Sequence, residues 1–428
     1  VGAILFTSFA VLMVINIPIS IVLGLSSVLG LVLTTNNISL MVVAQRMFTA
    51  TDSFPLMAIP FFTLAGALME GGGISRRLIN LANKLVGSIT GGLGIVCILT
   101  CMFFAAISGS SAATVAAIGS IMIPAMTKAG YDIKFSAAVS AAAGSIGVII
   151  PPSIPMVTYG VVGGVSIGAL FLGGFGSGII VGLSLMLVVY FISKKRGYKG
   201  TEEKFSIREV LKATKDAIWA LLMPIIILGG IYGGIFTPTE AAAVAVAYGF
   251  VIGLFVYKEL KLKDMYQILI RAGVNTAVVM FIVATATLFG WLLTSERIPD
   301  AIARAIMSVS DNKYIILLLI NGLLLIVGCL METNAAILIM APIFLPMMVQ
   351  LGVDPVFFGI VMVVNLAIGF FTPPVGQNLY VTCSVCDVSI ESLSVALVPF
   401  ILAMVGALLL ITYVPAISMF LPNLLMGR

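Results

Sequence analysis

Apolar residues come in long runs along this chain, and the polar residues between them fall in short clusters. Residues 2–34 are apolar and interrupted at Asn16-Ile17-Pro18; residues 54–70 form a second run. Residues 92–129 form a third, broken at Ser108-Gly109-Ser110-Ser111. Residues 135–160 are broken between Gly144 and Pro155, and 168–193 make a Gly-rich span. A polar stretch, 194–216, separates these from a second series. That series comprises 217–256, 273–295, 314–349 (broken near Gly328–Asn334), 356–382 (broken at Gly369–Pro374) and 393–422. A membrane-spanning helix takes roughly 20 apolar residues. The pattern therefore predicts an all-α polytopic membrane protein with about ten or more such segments. The first run has no basic leader and exceeds the length of a signal-peptide core, so no cleaved leader is expected there.

Composition sharpens this. Of 428 residues, 61% are hydrophobic and 9% charged, against about 25% charged in soluble domains. A water-compatible surface cannot be built from so few charges, which excludes a soluble enzyme and a disordered chain. There is no histidine. That removes Ser-His and Cys-His hydrolases, zinc proteases of the H-E-x-x-H type and histidine proton relays. Five cysteines do not make a disulfide framework in a chain of this size. No Walker A motif is present, so energy comes from a gradient or another subunit. Neither an organic cofactor nor nucleic-acid binding is indicated.

The polar stretch holds Lys194, Lys195, Arg196, Lys199, Lys204, Arg208, Lys212 and Lys215, with Glu202, Glu203, Glu209 and Asp216 interleaved. The positive-inside rule places it in the cytoplasm as a solvated linker with an amphipathic helix. It divides two similar halves, 1–193 and 217–428. A shift of 222 residues lays 111–160 on 333–382 without a gap. Pro124 then meets Pro346, Gly130 meets Gly352, Asp132 meets Asp354, Gly147 meets Gly369, and Pro151-Pro152 meets Pro373-Pro374. A shift of 224 pairs Gly66 with Gly290 and Ile74 with Ile298. Duplicated halves, often inverted in the membrane, are a mark of secondary transporters, and interrupted segments at matching positions point to the binding site. Two inverted repeats are expected, each with a re-entrant hairpin (near 92–129 and 314–349) and a broken helix (135–160 and 356–382).

The double prolines carry the chemistry. Proline has no N–H to give the carbonyl four residues back. Pro151 and Pro152 free the carbonyls of Gly147 and Val148; Pro373 and Pro374 free those of Gly369 and Phe370. Within lipid, each freed group needs a partner. Gly147 and Gly369 let another group come close, and Ser153 and Thr372 supply hydroxyls. Such oxygen cages suit a hard cation. Sodium fits better than calcium, because neither Pro-Pro segment contains a carboxylate. The partner elements are the hairpin tips, Ile107–Thr114 and Gly328–Asn334. A Ser or Thr there can cap the returning half-helix, whose N-terminus attracts an anion. Ser111, Thr333, Asn334 and Ser153 are the candidates to touch a carried carboxylate.

Glu332 is an acid at membrane depth and functional by default. Balancing a cation, capping the hairpin and carrying a proton remain open for it. Thr237-Pro238-Thr239-Glu240 reads as a capping box. Asp132 and Asp354 are expected in short loops, and Cys383 and Cys386 as packing residues.

Phe61-Phe62-Thr63-Leu64-Ala65-Gly66, Ala106-Ile107-Ser108-Gly109-Ser110-Ser111-Ala112-Ala113-Thr114, Ile150-Pro151-Pro152-Ser153 and Phe371-Thr372-Pro373-Pro374-Val375-Gly376 resemble the large (M, DctM-like) membrane subunit of TRAP, tripartite ATP-independent periplasmic, transporters. The resemblance covers essentially the whole chain. It implies a bacterial inner-membrane protein working with a small four-helix membrane subunit and a periplasmic substrate-binding protein that delivers an organic carboxylate. It also implies sodium-driven uptake by an elevator motion, in which a part carrying both hairpins slides against a fixed scaffold. By the same resemblance, one sodium site is Ser108, Ser110, Gly147, Ile150 and Pro152, and the other Gly328, Gly369, Thr372 and Val375. The second tip lacks the Ser-Gly-Ser-Ser of the first. Family members carry C4-dicarboxylates, sialic acid and other carboxylates; Thr51-Asp52-Ser53-Phe54-Pro55 with Ser110-Ser111 resembles the sialic acid branch.

Three competing readings stand beside this one. A self-sufficient sodium–anion symporter would need no binding protein. An intramembrane serine enzyme would use Ser108, Ser110 or Ser111, without a histidine or nearby lysine as base. A structural subunit or channel would pass current without saturation.

Overall fold

The computed structural model describes residues 2–15, 17–34, 39–201, 205–310 and 312–427. The interruption at Asn16 and the linker residues Glu202, Glu203 and Lys204 lie outside the described residues. Among those described, every regular element is helical.

The chain opens with α1 (Gly2–Val14), α2 (Ile19–Thr34) and α3 (Met41–Thr51), followed by α4 (Ala58–Gly71) and the amphipathic α5 (Ile74–Val86). The first hairpin is α6 (Gly92–Ser108) and α7 (Ser111–Lys128). The first broken helix is α8 (Ile133–Gly144), a 3-10 turn over Ser145–Val148, and α9 (Ile154–Gly163). Then α10 (Ile167–Arg196) carries the first half into the linker. The second half begins with α11 (Ile207–Tyr232), α12 (Pro238–Val251), the long α13 (Leu262–Ser295) and α14 (Ile298–Met307). The second hairpin is α15 (Lys313–Leu330) and α16 (Thr333–Gln350). The second broken helix is α17 (Pro355–Gly369) and α18 (Gln377–Val385), and α19 (Ile390–Tyr413) and α20 (Ala416–Met426) close the chain. Nine helical stretches among the described residues are long and apolar enough to cross a membrane.

Local chemistry explains the starts. Asp132 caps α8 by accepting from the Phe135 N–H at 2.9 Å, and Asp354 caps α17 by accepting from Val356 at 2.7 Å and Phe357 at 3.1 Å. Both loop aspartates thus end as N-caps. Thr237 and Glu240 form the reciprocal capping box at α12, with Pro238 in the first turn.

Glycines set the closest approaches. Along α10, a Cβ on Gly174 would lie 2.6 Å from the Ile149 carbonyl, and one on Gly178 would meet the Ile150 side chain. The small face of α10 therefore seats the first broken helix.

The two broken helices start against different neighbours. At the base of the first hairpin, the Gly91 N–H donates to the Tyr198 carbonyl at 3.1 Å, and the Asp132 N–H to the Tyr198 hydroxyl at 3.0 Å. Tyr131 stacks on Tyr198 with centroids 4.3 Å apart. The bases of α6 and α8 therefore sit against the linker. The start of α17 sits elsewhere: the Tyr159 hydroxyl on α9 donates to the Pro355 carbonyl at 2.8 Å, and a Cβ on Gly163, at the far end of α9, would lie 3.1 Å from Leu345 on α16.

Candidate functional site

The first tip is made by three residues. Ser108 ends α6, Gly109 turns the chain with φ 62°, and Ser110, in extended conformation, caps α7 by accepting from the Ala113 N–H at 3.4 Å. Gly109 is required twice: its backbone is left-handed, and a Cβ there would lie 2.8 Å from the Pro152 carbonyl. The turn gathers oxygens. The Thr114 hydroxyl donates to the Ser110 carbonyl at 2.7 Å and lies 3.0 Å from the Ser108 hydroxyl. A Cβ on Gly147 would stand 2.6 Å from the Ser110 carbonyl oxygen and 2.5 Å from the Thr114 hydroxyl. The bare Cα of Gly147 is what admits this cluster against the break. Gly66 on α4 closes the other side, with a Cβ position 3.3 Å from the Ser108 carbonyl.

Both Pro-Pro bonds are cis, and the freed carbonyls have different fates. In the first break the Ser153 hydroxyl donates to Val148 at 2.5 Å and accepts from the Met156 N–H at 3.3 Å. Ser153 is fully buried, and these bonds hold the restart of the helix. For Gly147, the N–H three residues on, Ile150, donates to Ile146 at 3.1 Å instead, and the next residue is Pro151. In the second break both carbonyls are met by backbone. Gly369 accepts from the Thr372 N–H at 3.2 Å, and Phe370 from the Asn378 N–H at 2.8 Å. The Thr372 hydroxyl donates back to Ile368 at 2.7 Å.

The second tip is tied differently. Glu332 caps α16 by accepting from Ala335 at 3.1 Å, and its carboxylate accepts from the Asn334 amide at 2.7 Å. Of the three roles open to Glu332, capping is the one with a geometry. Gly328 and Gly369 touch backbone to backbone: a Cβ on Gly369 would fall on the Gly328 carbonyl. The Val375 N–H donates to the Cys329 carbonyl at 3.3 Å. Cys383 and Cys386 are free thiols packed on the core.

Ser108, Ser110 and Gly147 meet around the first cluster, with Ile150 and Pro152 buried in the break beside it. Gly328, Gly369 and Val375 meet around the second tip, with Thr372 in the turn that follows α17. Ser111, Thr333 and Asn334 are buried. Ser111 donates to the Asn378 side-chain carbonyl at 2.9 Å, and Asn334 accepts from the Thr158 hydroxyl at 2.9 Å.

Sequence reasoning missed Thr114, Thr158 and Asn378 as members of the site. Thr114 stands one turn after Ser110, the spacing that brings side chains onto one face. Asn378 is a buried amide just after a break, and intramembrane polarity was its only signal.

Two hairpin tips set against two interrupted helices define a multi-pass membrane transporter. The family "Tripartite ATP-independent periplasmic transporter, DctM component" matches residues 6–417. The chain is 52% identical over 417 residues to the isethionate TRAP transporter permease protein DctMQ of Oleidesulfovibrio alaskensis, covering 97% of this chain and 66% of that protein. It is 45% identical over 401 residues to the C4-dicarboxylate TRAP transporter large permease protein DctM of Pseudomonas aeruginosa, covering 94% and 93%. It is 42% identical over 399 residues to the sialic acid TRAP transporter large permease protein SiaM of Vibrio cholerae serotype O1, covering 93% of each. The fold is similar to the crystal structure of the Alcanivorax borkumensis YdaH transporter, with a TM-score of 0.60 at 15% identity over 87% of this chain and 86% of that one. This chain belongs to the DctM-component family of TRAP transporters. It is a multi-pass protein of the bacterial inner membrane and a transporter permease, not an enzyme.

Proposed function

We propose that this chain is the carrier subunit of a sodium-coupled importer of an organic acid. It works with a small membrane subunit and a periplasmic binding protein that delivers the solute. The observation that carries the reading is the oxygen cluster of Ser108, Ser110 and Thr114 against Gly147, beside a carbonyl that Pro151 cannot satisfy. Oxygen donors without a carboxylate suit a singly charged hard cation. The solute's anionic group goes to the N-terminal turn of α7, where the helix dipole favours negative charge; the corresponding turn of α16 is already capped by the Glu332 carboxylate. The relatives are named for isethionate, C4-dicarboxylates and sialic acid, which share an anionic carboxylate or sulfonate.

The halves act as inverted repeats. Support comes from the neighbours of each broken helix: α8 starts against the linker, whereas α17 starts beside α9 and the end of α16 is close to the end of α9. An elevator motion follows, with hairpins and broken helices moving together. In support, α7 packs on α18 and α16 on α9, while α4 packs on both α12 and α13; the contacts of α13 with α16 and of α4 with α6 are the surfaces across which the two parts slide.

The test is uptake into proteoliposomes holding this chain and its small partner subunit. The binding protein is outside with isethionate, succinate or sialic acid, under an inward sodium gradient or choline. We expect uptake of one of these acids that needs both sodium and the binding protein. Uptake indifferent to sodium would sink the cation reading. Uptake without the binding protein would favour a self-sufficient symporter.

A further inference from the structure

Asn378 stands in the first turn of α18, directly after the second break, yet its side chain serves the first half. It is fully buried. Its amide carbonyl accepts from the Ser111 hydroxyl at 2.9 Å, and its amide N–H donates to the Ala141 carbonyl on α8 at 2.9 Å. Its backbone N–H donates to Phe370 at 2.8 Å, the carbonyl that Pro374 frees. One residue thus closes the second break and ties the first tip to the first broken helix. A matching bond runs the other way, from Thr158 on α9 to Asn334 in the second tip.

We propose that Asn378 is a positioning residue that couples the first oxygen cluster to a second cation position at the second tip, where the Gly369 carbonyl and the Thr372 hydroxyl keep lone pairs beyond their hydrogen bonds, making sodium binding at one favour binding at the other. This rests on the sodium reading above. The second break is the more open element: Val375 is 46% exposed there, whereas the first break is buried throughout. A cation between Gly328, Gly369 and Thr372 would order residues 369–376 and with them the start of α18. Asn378 would then be held in register, and through it Ser111 and Ala141. Ser111 adjoins Ser110, and Ala141 lies on the helix that leads into Gly147. The geometry of the first cage follows from these two attachments. Coupling of this kind is reciprocal, so loss of the clasp weakens both sites.

The experiment titrates the purified chain with sodium chloride against choline chloride at constant ionic strength. It reads thermal stability, which rises as sodium fills sites present only in the folded protein. The unaltered protein is expected to respond steeply, with a Hill coefficient above one. Asn378→Ala is expected to bring that coefficient to about one and raise half-saturating sodium by about fivefold or more. A purely structural role would lower stability in choline and leave the steepness alone, which would overturn the proposal. If Asn378→Ala does not fold, Ser111→Ala decides the matter. It leaves the bonds to Ala141 and Phe370 intact, and it should lose steepness as well; unchanged steepness would overturn the coupling. An unaltered protein that ignores sodium would instead remove the cation reading itself.

Discussion

Around Pro151-Pro152 every residue from 151 to 160 is buried, and a serine hydroxyl repairs the Val148 carbonyl. Around Pro373-Pro374 the chain is partly open, Pro374 and Val375 are exposed, and backbone N–H groups repair both carbonyls. The same dipeptide therefore produces a closed oxygen cluster in one half and a more open turn, bonded within its own backbone, in the other. The difference begins in the tips. Ser-Gly-Ser brings hydroxyls and a carbonyl to Gly147. The second tip brings a carboxylate cap, and its bare backbone at Gly328 reaches Gly369. The break stands in both halves, because proline chemistry does not depend on neighbours. The partners of the freed groups were free to diverge.

Substitutions can break this comparison, and the largest effects belong to the two glycines. Gly369→Ala places a Cβ on the Gly328 carbonyl, backbone against backbone. We expect a loss of about 3 kcal/mol, read as a fall in thermal midpoint and yield of monodisperse protein. Gly147→Ala places its Cβ 2.6 Å from Ser110 O, and the hydroxyl of Thr114 can swing away. It should lose about 2 kcal/mol and its sodium response. Near-normal stability in Gly369→Ala would mean that the second tip and break are not in contact.

Next come the hydroxyls. Ser153→Ala removes a helix cap and strands the Val148 carbonyl, together about 2 kcal/mol. Thr372→Ala removes a bond to Ile368, whose carbonyl also accepts from Phe371 at 3.4 Å, and should cost under about 1 kcal/mol. Equal effects in thermal unfolding would erase the asymmetry between the breaks. Glu332→Gln keeps an acceptor for the Ala335 N–H, so about 1 kcal/mol is expected, with uptake retained. Abolished uptake at normal stability would return Glu332 to a charge-carrying role. Smallest of all, Val375→Ala at an exposed position should stay within about 0.5 kcal/mol; a larger shift in thermal midpoint would show that the second break is packed as tightly as the first.

The interruptions were legible because proline and glycine act locally. A missing N–H four residues after Gly147 frees a carbonyl in any fold. The run lengths and near absence of charge gave the membrane class, since hydrocarbon admits little else. Ser153 shows where such reading stops. Sequence alone offers its hydroxyl to a solute, but its partners are Val148 and Met156 a few residues away. The bonds of Asn378 to Ser111 and Ala141 span 267 and 237 residues, and nothing in sequence spacing marks them.

The chain by itself determined that it would cross a membrane, where its double-proline breaks would fall, and which carbonyls would lose their helical donor. These follow from apolar length and from proline's missing hydrogen, properties of single residues and their near neighbours. Tertiary structure alone decided which oxygens meet those carbonyls, which hydroxyls are already engaged, and which half clasps which tip. Those outcomes depend on how helices far apart in sequence pack within a few ångströms, and that is a property of the whole molecule.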